Sequence, residues 1–152
     1  MFHYTTSMRR TFFLLAIAAC FFACGKDKFQ TKPQIEIKSI YGSVLPLNAV
    51  MQIQISFTDK EGDIGGGKLV YYFQRLNKRP LPTGISYLDS IPVDVPKFPN
   101  KSLGEMQLNL KYSDLHKSSI ENDTIKLRFV ATDKAGHRSD TLTSDRLVIL
   151  FR

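Results

Sequence analysis

Two short stretches of this chain concentrate side chains that could do chemistry. Thr58-Asp59-Lys60-Glu61-Gly62 and Thr132-Asp133-Lys134-Ala135-Gly136 share the pattern Thr-Asp-Lys-x-Gly, and the first runs on through Asp63 to Gly65-Gly66-Gly67. Carboxylate oxygens at alternate positions, as at Asp59, Glu61 and Asp63, suit Ca²⁺, which takes about six to eight oxygen ligands at roughly 2.3–2.6 Å. Asp133 would add another if the two loops met. The spacing is not that of an EF-hand. The twelfth position counted from Asp59 is Val70, where a bidentate glutamate would be needed. Lys60, Lys68 and Lys134 work against a cation. The same residues also have a purely local use, because Asp accepts from backbone N–H groups two residues on and Gly takes positive φ without strain. Turn chemistry on solvated loops is the favoured reading, with calcium as the alternative.

Catalytic sets are poorly served. Beyond residue 23 the histidines are His116 and His137. Ser139, His137 and Asp140 contain the residue types of a hydrolytic triad, but neighbours this close along the chain point in alternating directions. His137 follows a turn glycine and reads as a loop residue, and His116, in "YSDLHKSS", reads as surface. Gly65–Gly67 lacks the Lys-Ser/Thr and the helix that a phosphate loop requires. Paired carboxylates for sugar hydrolysis belong in the cleft of a larger fold. The expectation is a non-enzyme.

Both cysteines lie near the start, in "IAACFFACGKDK", four residues apart. A metal clip lacks a second ligand pair, and a redox pair lacks the C-x-x-C spacing. Met8-Arg9-Arg10 precedes an uncharged apolar run and then small residues, the order of a secretory signal. From Thr11 to Gly25 is 15 residues, short of the about 20 that span a bilayer. The stretch resembles a bacterial lipoprotein lipobox, whose cysteine becomes the acylated first residue of the mature chain. Ile17-Ala18-Ala19-Cys20 fits by composition. Phe21-Phe22-Ala23-Cys24 fits by position, since cleavage before Cys24 removes the whole apolar run and leaves a polar start. Cys24 is the favoured lipidation residue, with Cys20 as the alternative. The resemblance implies export and lipid anchoring to the bacterial cell envelope, at the outer membrane, with the facing side unassigned. Acylation would use up the thiol at Cys24 and leave the mature domain without another, which suits an oxidising compartment.

The division that follows is a signal peptide over 1–23, a lipidated cysteine and tether over 24–33, and a domain over 34–152. The chain's 21 basic and 14 acidic side chains become 19 and 14 once the leader, with Arg9 and Arg10, is removed. The remaining positive charge is scattered and never forms a block of five, so it reads as a solvated surface and not as a nucleic-acid site.

In the domain the dominant signal is alternation. Met51, Ile53, Ile55 and Phe57 alternate with Gln52, Gln54, Ser56 and Thr58; Met106, Leu108, Leu110 and Tyr112 alternate with Gln107, Asn109 and Lys111. Ile125, Leu127, Phe129 and Ala131 repeat the pattern. Period two buries one face of a strand and solvates the other. Further strands are expected at Ile35–Ile40, Leu69–Arg75 and Leu147–Phe151. A weaker one, Leu88–Val95, lies in a stretch with five of the seven prolines and must be an edge or a broken strand. The fold class is all-β, a seven-stranded two-sheet sandwich. In strand count, spacing and turns, residues 34–152 resemble the immunoglobulin-like, fibronectin type III-like and cadherin-like domains of exported bacterial lipoproteins. No tryptophan or strand cysteine is present, which favours the fibronectin and cadherin side. The resemblance implies that the two Thr-Asp-Lys-x-Gly loops, after the second and sixth strands, share one end. It also implies a membrane-anchored interaction or structural module with an envelope protein partner. A carbohydrate-binding or adhesion module is the alternative, with Tyr41, Tyr72, Tyr87 and Phe98 as candidate platforms.

Overall fold

The computed structural model describes residues 31–87 and 90–152. The leader, Cys20, Cys24, most of the tether and Leu88 lie outside the described residues. The strands are β1 (Gln34–Tyr41), β2 (Val44–Leu45), β3 (Val50–Thr58), β4 (Lys68–Arg75), β5 (Ile91–Asp94) and β6 (Leu103–Lys111). A one-turn helix α1 (Tyr112–Leu115) precedes β7 (Asp123–Thr132), β8 (Leu142–Thr143) and β9 (Leu147–Ile149). One sheet has the order β1-β3-β6; the other has β2-β9-β7-β4-β5, with β8 also on β7. All pairings are antiparallel except β2 with β9. The domain is all-β with two sheets.

The alternation maps directly onto the layers. Met51, Ile53, Ile55 and Phe57 of β3 and Ile125, Leu127, Phe129 and Ala131 of β7 are buried in one apolar cluster. Leu69, Tyr71, Leu108 and Leu110 join it from β4 and β6. At roughly 1.5–3 kcal/mol for each large apolar side chain removed from water, this double stripe dominates the folding energy.

Some expectations shift at the element ends. The strand expected to include Tyr112 stops at Lys111, because Tyr112 turns into α1, where its hydroxyl donates to the Leu150 carbonyl at 2.8 Å. The last strand ends at Ile149, not Phe151. The proline-bearing strand shrinks to four residues, with Pro92 on the sheet edge. The two-residue strands β2 and β8 are too short to leave a periodic trace.

At the start of β7, Asp123 is fully buried. Its Oδ1 accepts from Arg75 Nε at 2.9 Å, and its Oδ2 accepts from the Lys117 and Ser118 backbone N–H groups at 2.7 and 2.8 Å. His116, expected at the surface, is only 14% exposed by its side chain. It lies between the Tyr112 and Phe151 rings with Nδ1 3.2 Å from Asp123 Oδ2. Burial alone would raise the Asp123 carboxyl, but the two backbone donors, Arg75 and His116 outweigh it and hold it below its ordinary value. A lowered folded-state value means that this group stabilises the domain above the unfolded carboxylate range, near pH 4, and that the contribution fades as pH falls through the folded value. Asp123→Asn is therefore expected to cost about 1–3 kcal/mol at pH 7, since Arg75 keeps its pair with Glu121 but the charged acceptor of Arg75 Nε and two backbone N–H groups is lost, and to flatten the acid limb of the stability profile. Urea unfolding at a series of pH values measures both effects.

Candidate functional site

β3 ends at Thr58 and β7 at Thr132, and the loops that follow meet. In the first loop Asp59, 1% exposed, folds the chain around its own carboxylate. Oδ1 accepts from Glu61 N–H at 3.2 Å, and Oδ2 from Asp63 and Ile64 N–H at 2.9 and 3.1 Å. Ile64 is fully buried and pins the loop to the core. In the second loop Asp133, 4% exposed, accepts from His137 N–H at 2.8 Å through Oδ1. Gly62 and Gly136 take the positive φ, +70° and +92°, that closes each turn. A Cβ on Gly67 would stand 2.1 Å from the Thr132 carbonyl oxygen, so only glycine lets the first loop lie this close to the end of β7. The two loops are joined by Lys134 N–H, which donates to the Asp63 carbonyl at 3.4 Å.

This contact gathers all four acidic residues singled out in the sequence. One carboxylate oxygen each from Asp59, Asp63 and Asp133 lie within 4.8 Å of one another. Asp63 Oδ1 is buried and has no hydrogen-bond partner. Glu61 stands on the outer side with Asp133 and His137 in a second group of the same compactness. His137 Nδ1 is 3.1 Å from Asp133 Oδ2 and 3.4 Å from Glu61 Oε2. Sequence reasoning missed this role for His137; the signal was its position four residues after Asp133 across a glycine turn. Of the opposing lysines, Lys68 pairs with Asp94 at 3.1 Å and the Lys134 side chain lies over Gly66. Asp59, Asp63 and Asp133 could hold a hard cation through oxygen, and the outer group adds one nitrogen.

The serine of the paper triad serves the backbone instead, while its histidine faces Asp133 and Glu61. Ser139 Oγ accepts from Ala131 N–H and donates to the Asp140 carbonyl, both at 2.9 Å. The Asp140 carboxylate pairs with Lys32. Of the candidate aromatic platforms, Tyr41 is 63% exposed and Tyr72 is half-buried. Tyr87 packs on Phe73 at 4.9 Å and donates to the Leu115 carbonyl, and burial pushes its phenol up. Phe98 stacks on Phe57 at 5.8 Å.

No family model, curated protein or solved structure matches this chain.

Because Asp59 satisfies three N–H groups, the Ile64 contact being fully buried, Asp59→Ala is expected to destabilise the domain by about 1–3 kcal/mol. Denaturant unfolding at neutral pH checks this.

Proposed function

We propose that this chain is a lipid-anchored lipoprotein of the bacterial cell envelope, at the outer membrane, whose domain is a non-catalytic interaction or structural module for an envelope protein partner. The observation that carries this reading is the convergence of the two related loops into one braced, acidic end, the end at which β1 begins with Gln34 opposite Thr58. Loops fixed by buried anchors present a surface without a large ordering cost on binding. The engagement of Ser139 in backbone hydrogen bonds favours binding over catalysis. The sheet orders favour an immunoglobulin-like or fibronectin type III-like arrangement. With β1, β3 and β6 as A, B and E, and β4, β5, β7 and β9 as C, C′, F and G, the acidic loops are B–C and F–G. For the carbohydrate-binding or adhesion alternative, the packing of Tyr87 and Phe98 removes two of the four aromatic platforms.

The anchor is tested by the intact mass of the N-terminal peptide from native membranes. The expected peptide begins at Cys24 with attached acyl chains and is lost in Cys24→Ser. A peptide beginning at Cys20, or an unlipidated one, contradicts the placement. In-cell crosslinking of the wild-type protein would then identify the partner.

A second reading, calcium at the same loop end, is favoured by one observation. Asp63 Oδ1 is buried and unpartnered beside two carboxylates that are themselves buried. Three converging carboxylate oxygens repel one another in a low dielectric unless a cation joins them. On this reading Ca²⁺ raises the thermal midpoint of the wild type, by about 2.7 kcal/mol of added stability at 100 times the dissociation constant. Asp63→Asn keeps the fold and abolishes the calcium response. An unchanged midpoint with and without a chelator assigns these residues to turn formation alone.

A further inference from the structure

The strand edges of this domain are protected unequally. β1 is interrupted by a bulge at Lys38, where the register with β3 jumps between Ile37 and Ser39. β5 is four residues long and contains Pro92, and β2 has two residues. Bulges, prolines and short lengths are the devices by which sheets discourage edge-to-edge pairing. β6 has none of them. It runs for nine residues in unbroken register with β3, from Leu103 opposite Thr58 to Lys111 opposite Val50. Among the described strands its other edge has no partner.

Beside that edge, the two sheets leave a narrow apolar cleft of about 50 Å³, lined mainly by Leu69, Val93, Val95, Pro96, Met106 and Leu108. On the solvent face of β6, Leu103, Glu105, Gln107, Asn109 and Lys111 are all exposed, Leu103 to 70%. This order of side chains is complementary to itself when reversed. In an antiparallel pair centred on Leu108, Glu105 stands opposite Lys111 and Gln107 opposite Asn109, each twice by symmetry. On the inner face Met106 meets Leu110, and Leu108 meets its own copy, so apolar groups cover the mouth of the cleft. Moving the centre by one residue loses the match. Centred on Gln107, Glu105 faces Asn109 and Lys111 faces Leu103; centred on Asn109, Glu105 falls opposite Ser113, past the end of the strand. Opposite charges and matched pairs across strands stabilise a ladder, and register is set where one face is apolar.

We propose that β6 is a self-association edge: two copies of this chain pair antiparallel through β6 about a two-fold axis at Leu108, joining their three-stranded sheets into one six-stranded sheet. The contact is isologous, so it closes at two copies and does not propagate. The occupant follows from the charge pattern, which a second β6 matches from Glu105 to Lys111. The acidic loop end and the groove of about 480 Å³ between β1 and the β8–β9 stretch take no part in it.

Sedimentation velocity on the full chain, in detergent with a reductant, over a dilution series up to about 100 µM tests this. The expected result is a reversible monomer–dimer equilibrium. Glu105→Lys alone and Lys111→Glu alone each place two like-charge pairs in the contact and should weaken the dimer by about tenfold or more. The double variant Glu105→Lys/Lys111→Glu restores opposite charges and should return to within about threefold of the wild type. Circular dichroism of each variant verifies that the exposed substitutions leave the sheet content intact. A chain that stays monomeric over the whole series overturns the proposal. So does a dimer indifferent to both single reversals, or one that the double variant does not restore.

Discussion

The packing of the β3 stripe against the β7 stripe is the constraint on which the remaining features depend. Neither sheet can bury its inner face alone, so Met51, Ile53, Ile55 and Phe57 must be covered from across the sandwich by Ile125, Leu127, Phe129 and Ala131. Once those stripes are in contact, the ends of the two strands are fixed in space. Asp59 then has to lie near Asp133, and the first loop has to pass so close to Thr132 that Gly67 cannot carry a side chain. The same packing leaves β6 on the rim of its sheet with one edge open.

The two ends of β7 handle buried carboxylates differently. Asp123 is surrounded by Arg75, His116 and two backbone donors, so its charge is balanced and its role is to pin the segment after α1. Asp59 and Asp133 receive backbone N–H groups, and His137 Nδ1 approaches Asp133, but Asp63 Oδ1 beside them has no partner. The Asp123 carboxylate is fully met by donors, although the neighbouring His116 Nδ1 makes no hydrogen bond, whereas an unmet carboxylate oxygen is a place where a cation can add free energy. That contrast separates the structural pole of the domain from its candidate functional pole.

Much of this was legible in the sequence. The alternation in β3, β6 and most of β7 reported both the strands and their buried faces, with Val130 buried against the pattern, because period two has few other physical meanings. The repeated Thr-Asp-Lys-x-Gly pattern reported the two turns, and strand parity placed them together. Other features carried no local signal. Arg75 and Asp123 are 48 positions apart and meet only because β4 pairs with β7. His116 reads as a surface residue among Asp, Lys and Ser, yet it is held between Tyr112, one turn earlier in α1, and Phe151 from the end of the chain. The ends of β6 and β9 moved because Tyr112 and the residues after Ile149 find tertiary hydrogen bonds that periodicity does not encode.

The acidic loops are pre-organised by the packing beneath them and are not loose connections. Amide hydrogen exchange resolved at Ile64 and His137 tests this most directly, since both N–H groups are bound to the key carboxylates. Protection approaching that of the core amides of β3 and β7 is the predicted result. Exchange at rates typical of exposed loops, while the core amides stay protected, would show the loops to be loose connections.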